Sequence, residues 1–178
     1  MASLSTGAIL VPVGDFPLDL LEQLAARTGI ALGPGRVDPS TAFSPSRRQY
    51  DSTRLLSELK ARYEDRIVVA ATACDLYIPV LTFVFGEAEM PGRAAIFSIH
   101  RLREEFYGLP RNGALLVSRA LRELWHEFGH LHGLAHCPDW SCVMSSSHSV
   151  ERVDAKGDWF CHDCEGRMGH LPQTTAVR

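Results

Sequence analysis

The chain has 178 residues, 46 per cent of them hydrophobic, and a formal net charge of −3. That length suits one domain over residues 1–178, large enough for a real core and too small for two. The charge leaves no electrostatic footprint for nucleic acid, and no apolar run approaches the ~20 residues of a membrane span.

Gly7 to Val13, rich in Ile, Leu and Val, predicts a first buried strand. Phe16 to Arg27 carries leucines and alanines at helical spacing and follows the turn residues Gly14 and Asp15. Gly33 to Ser46 reads as loop, with Pro34, Gly35, Pro39 and Pro45; Arg36, Val37 and Asp38 are a candidate short strand within it. Ser52 to Tyr63 predicts a second helix, with Ser52 as its cap and Leu55, Leu56 and Leu59 as its apolar stripe. Arg66 to Thr72 is apolar and β-branched, hence a central strand, and Cys74 beyond it is expected to be a buried, inert thiol. Leu81 to Phe85 and Ala94 to His100 predict two further strands. Gly113 to His132 predicts a long helix whose Ala114, Leu115, Ala120, Leu121, Leu124, Trp125 and Phe128 should face the sheet. One short helix is expected after Cys161. This alternation implies an α/β fold with a twisted mixed sheet. A sheet-rich part spans 1–112, and the long helix with a metal-bound tail spans 113–178.

The most informative stretch is HEFGHLHGLAH, from His126 to His136. His126 and His130 are four apart, so on a helix they lie one turn apart on the same face. Gly133 lets the backbone leave the helix through positive φ, and His136 can then return to the same ion. Three neutral nitrogens and one open position describe a catalytic zinc site and not a closed structural one. Glu127, beside the first ligand, is placed to act as general base on a water that zinc activates. His132 is two residues from His130 and points elsewhere. His148, His162 and His170 have no partner that the sequence identifies.

Five cysteines are present, and four fall in the last quarter of the chain: Cys137, Cys142, Cys161 and Cys164. Two short-spaced pairs parted by a loop read as a four-thiolate structural zinc site. Two disulfides are the competing reading; the N-terminus shows no secretory signal, which favours metal in a reducing compartment. A redox role for Cys161 and Cys164 lacks a surrounding βαβ pattern. Cys137 follows His136 directly, yet successive side chains of an extended segment point to opposite faces, so the two can serve different ions. The alternative, Cys137 as fourth ligand beside the three histidines, would close the catalytic site and leave three thiolates behind.

The extended histidine motif is the metzincin signature, which also asks for a Met below the metal; Met144 follows His136 at a suitable distance. HEFGHLHGLAHC, CPDWSCVM and FCHDC together resemble the archaemetzincins, a zinc metallopeptidase family of the metzincin clan. Weaker likeness reaches upstream through ILVPVGDF, RRQYDS, DLYIPVLTFVFGEAE and SIHRL. The resemblance implies His126, His130 and His136 as catalytic zinc ligands, Glu127 as general base, Met144 as the Met-turn residue, and Cys137, Cys142, Cys161 and Cys164 as ligands of a second zinc. Sixteen residues separate Met144 from Cys161, one fewer than the family spacing. The resemblance further implies an antiparallel strand at the upper cleft edge, within Leu81 to His100, on which an extended peptide pairs by backbone hydrogen bonds. Some metzincins add a Tyr soon after the Met-turn; here no Tyr follows Met144. An Asp-x-Lys matches Asp154 and Lys156, as a buried pair or as partners of the zinc-site backbone; an exposed charged turn is the equal alternative.

The expected function is therefore peptide hydrolysis with two Zn2+ per chain and a peptide or protein as substrate. The protein is expected to be a cytoplasmic monomer with no nucleic-acid or membrane partner. A zinc-stabilised module that grips peptides without cutting them is the alternative, and the intact Glu127 argues against it. A zinc-ribbon-like nucleic-acid module would want a basic surface, which is missing.

Overall fold

A computed structural model describes residues 7–169, so the chain ends, His170 among them, lie outside the described residues. In chain order the elements are β1 (Ala8–Val13), α1 (Leu18–Thr28), β2 (Ala31–Leu32), β3 (Phe43–Ser44), β4 (Gln49–Asp51) and α2 (Ser52–Arg62). There follow β5 (Ile67–Thr72), β6 (Leu76–Tyr77), β7 (Gly86–Ala88), β8 (Ala94–Ser98), α3 (Gly113–Leu131), α4 (Val150–Ala155) and α5 (His162–Gly169). The main sheet has the order β2-β1-β5-β8-β7. All its pairings are parallel except the last: β7 runs antiparallel to β8, with Glu87 opposite Ile96. The sheet is thus mixed, with its antiparallel strand at one edge. A small second sheet joins β3, β4 and β6.

The central strands are apolar on both faces because helices cover both. On one face Leu10, Val69 and Phe97 pack with α1, α3 and the C-terminal segment; on the other, Val11, Val68 and Ile96 pack with Leu55, Leu56 and Leu59 of α2. Helix α1 closes at Gly29, whose φ of 72° places its N–H on the Ala25 carbonyl.

Several expectations are corrected. Leu81 to Phe85 is not a strand: Val84 makes one bridge to Leu76, and regular pairing begins at Gly86. This apolar run walls a cleft instead, with Phe83 held edge-on to Phe85 and under the Arg101 guanidinium. Ser52 does not cap α2. The Asp51 carboxylate accepts from the Arg54 N–H at 3.2 Å, while the buried Ser52 hydroxyl donates to the Tyr77 carbonyl and the Glu87 carboxylate. In the expected loop, Ser40–Ala42 forms a 3-10 turn and Val37 bridges Val13. Cys74 is half-buried rather than buried.

Helix α3 starts where the Asn112 side chain accepts from the Leu115 N–H. Ala120, Leu124 and Phe128 join the core, but Ala114 is exposed and Leu115 half-buried. Trp125 turns to the C-terminal segment, 4.8 Å from the Trp159 ring. Helix α3 is therefore clasped on two sides, by the sheet and by that segment. Arg119, only 4% exposed, fastens the second side through a bidentate pair with Asp154 at 2.8 and 2.6 Å. Asp154 thus pairs with Arg119 and not with Lys156. No helix among the described residues is long and apolar enough to cross a membrane.

Candidate metal centre and cleft

One turn of α3 places His126 and His130 side by side. His126 Nδ1 lies 2.9 Å from the Val143 carbonyl, and His130 Nδ1 lies 2.7 Å from that of Leu134. A carbonyl can only accept, so these contacts assign the ring protons to Nδ1. Both Nε2 atoms then carry lone pairs, yet they approach within 3.2 Å. Two lone pairs that close repel unless a cation lies between them. Zinc bonds to nitrogen are about 2.0–2.1 Å long, so tetrahedral nitrogens sit about 3.3 Å apart, which fits this spacing. Gly133, with φ 77°, ends the helix as its sequence position suggested. His136 returns so that a ring nitrogen from each of the three histidines lies within 4.8 Å of the others. Burial, above all, pushes the His126 imidazole well below its ordinary pKa, and His130 and His136 less far. Neutral imidazole is the form that binds metal.

Glu127 is buried beside this trio. Burial, then the carboxylate of Glu123 one turn earlier, raises its pKa well above the usual range, while Lys156 opposes them. Its Oε2 has no hydrogen-bond partner. Space for the carboxyl comes from Gly86 on β7, where a methyl group would overlap it. The acid group is thus gripped between the edge strand and the helix. A cleft of about 500 Å³ runs between β7 and α3, and its wall includes Leu81, Phe83 and Met90 but no tyrosine. A larger hollow of about 840 Å³ beyond the ends of β1 and β5, beside Cys74 and His100, contains none of the expected metal ligands.

Met144 is fully buried under α3. A methyl group on Gly129 would overlap its sulfur, so the glycine of HEFGH makes room for this residue. His132 turns away and contacts the Phe128 carbonyl.

The cysteines form a separate group. One sulfur from each of Cys137, Cys142, Cys161 and Cys164 lies within 4.8 Å of the rest. Cys137 and Cys161 are 3.8 Å apart. Four thiolates at the ~2.3 Å zinc–sulfur distance stand about 3.8 Å apart. The N–H groups of Met144 and Cys161 point at the Cys142 sulfur, at 3.4 and 3.3 Å. These donors suit a sulfur that carries negative charge. His136 and Cys137 do face different groups. Cys74 stands apart from both.

Gly86, Glu123 and Ser147 of the cleft were not foreseen, nor was Gly129, which makes room for Met144. Glu123 had a visible signal, since it precedes Glu127 by four residues and so shares its helix face. Lys156 was singled out, but none of the readings offered for it (a pair with Asp154, a bond to the zinc-site backbone, an exposed turn) named Glu123, and the residue is buried. It meets Glu123 at 2.8 Å.

Comparison with known proteins agrees with this geometry. Residues 24–170 match the sequence pattern of peptidase family M54. An archaemetzincin of Methanocaldococcus jannaschii is 45% identical over 159 residues, which cover 86% of this chain and 87% of that protein. The solved archaemetzincin of Methanopyrus kandleri superposes with a TM-score of 0.80 at 32% identity, covering 94% of this chain and 96% of that one. A zinc-dependent peptidase from Methanocorpusculum labreanum gives a TM-score of 0.80 at 29% identity, over 91% of this chain and 100% of that one. A trio of imidazoles, two on one helix and the third from the turn beyond it, a carboxylate beside it and a relationship that spans most of the sequence lead to one conclusion: the chain belongs to peptidase family M54.

Proposed function

We propose that this protein is a zinc-dependent peptidase in which His126, His130 and His136 hold the catalytic ion and Glu127 is the general base. The observation that carries this reading is the 3.2 Å approach of two Nε2 atoms whose protons are committed to the opposite ring nitrogens. When bound, zinc supplies Lewis-acid polarisation of the scissile carbonyl and of the attacking water. Glu127 removes the water's proton with its unpartnered oxygen and returns it to the leaving amine. Gly86 and the helix keep that carboxylate from swinging away. β7 lies at the end of the sheet, so its outer edge can accept an extended peptide through backbone hydrogen bonds. Its residues line the same cleft as the three imidazoles, so a peptide paired there would run past them.

Cys137, Cys142, Cys161 and Cys164 hold a second, closed zinc, giving two ions per chain. A reducing, cytoplasmic setting would keep these thiols available as ligands. The reading takes the active unit as a monomer acting on peptides, with no nucleic acid or membrane involved.

The test is cleavage of a defined peptide mixture, followed by mass spectrometry. Zinc-loaded protein should cut a reproducible subset of bonds, lose that activity on chelation and regain it with added zinc. Undiminished cleavage by metal-stripped protein would refute the proposal.

A further inference from the structure

Five buried side-chain polar atoms among the described residues have no hydrogen-bond partner, and four of them belong to residues that line the active-site cleft. They are Glu123 Oε1, Glu127 Oε2, Ser147 Oγ and Lys156 Nζ. A charged side chain withdrawn from water is costly unless it is paired, and the two charged residues Glu123 and Lys156 meet each other here. Glu123 and Lys156 form an ion pair 2.8 Å long, with side chains 3% and 1% exposed, although the angles do not make a hydrogen bond.

Glu123 creates a problem that the sequence motif does not reveal. It lies one turn before Glu127 on the same face of α3 and lines the same cleft. A carboxylate oxygen is a good zinc ligand. A second carboxylate free to move in this cleft could occupy the open position and displace water. In the structure Glu123 stands outside the group of clustered ligand atoms, and the atom it meets is Lys156 Nζ. The position of Lys156 is itself fixed. Gly157 donates to the Ser141 carbonyl at 2.8 Å, so close that a methyl group at 157 would overlap that oxygen. Ser141 adjoins Cys142, which ties Lys156 to the cysteine group.

We propose that Lys156 is a positioning residue: by holding Glu123, it keeps that carboxylate off the metal and leaves Glu127 as the one acid group at the open corner. This inference rests on the zinc-peptidase reading above. An anchor alone would not require charge, because apolar side chains of similar volume hold buried segments together at least as well.

The experiment uses the full chain with zinc in the thiolate site and cobalt(II) in the imidazole site. Lys156→Met should release Glu123 to the cobalt and alter its visible absorption towards higher coordination. On a peptide that the parent protein cleaves, kcat should fall about 10–100-fold, with KM little changed. Adding Glu123→Gln should remove the intruding ligand and restore both the parent spectrum and most of the lost kcat. An unchanged spectrum in Lys156→Met, or a double variant no better than the single one, would overturn the inference. Should Lys156→Met fail to fold, Lys156→Gln takes its place, with the same spectral change and the same recovery expected and the same two results against it. Failure of the underlying reading looks different: Glu127→Gln would then remain active, whatever position 156 does.

Discussion

Glu127→Gln should retain both metal ions and lose peptide hydrolysis by about 10²–10⁴-fold in kcat, the usual contribution of a positioned general base. The amide has nearly the shape of the acid, so it should keep its place against Gly86 and leave the fold unchanged. It cannot accept the water's proton at neutral pH. The proposed ligands are imidazoles anchored by the Val143 and Leu134 carbonyls, and neither anchor involves Glu127. Metal content should therefore stay at the parent value while kcat collapses and KM moves little. Steady-state kinetics on one cleaved peptide, paired with metal analysis of the same sample, checks this. A Gln variant with parental kcat would remove the carboxylate from the mechanism.

Cys161→Ser combined with Cys164→Ser should have the largest effect on the folded state. Structural zinc contributes an apparent ~10–16 kcal/mol in small zinc-bound peptides, so losing two of four thiolates should release the ion and lower the melting temperature sharply. The damage should also reach the other site. The Cys137 N–H donates to the Met144 carbonyl at 3.0 Å, and Val143, next in line, holds the His126 ring. Loosening the clip therefore frees the carbonyl that orients a catalytic ligand. Affinity for the catalytic metal should fall about 10–100-fold, as it does when an orienting partner of a ligand is lost. Thermal unfolding and competitive zinc titration provide the readouts. Unchanged melting with two ions still bound would contradict this role for the cysteines.

The imidazole trio was legible in the sequence because helical periodicity and one glycine suffice to bring His126, His130 and His136 together. The separation of His136 from Cys137 was legible too, from the alternation of an extended chain. The mixed sheet and the long helix followed from apolar runs and their spacing. Other features were not legible, for a common physical reason: they depend on which distant segments meet. Gly129 looks like an ordinary helix residue until Met144 is seen beneath it, and Gly86 like a loop residue until Glu127 fills its space. Leu81 to Phe85 has strand composition, but its residues line a cleft, and wall and strand ask for the same apolar side chains. Ser52 has a cap's chemistry, but its hydroxyl is taken by Tyr77 and Glu87, which leaves the cap to Asp51. Lys156 and Glu123 lie on segments that only the clasp of the C-terminal region around α3 brings together.

The most direct test of the account is a count of metal ions per chain by native mass spectrometry, for the parent protein and for His126→Ala combined with His130→Ala. The account predicts two zinc ions in the parent, and one in the variant, retained by the four cysteines. One zinc in the parent, or an equal number in both proteins, would contradict it.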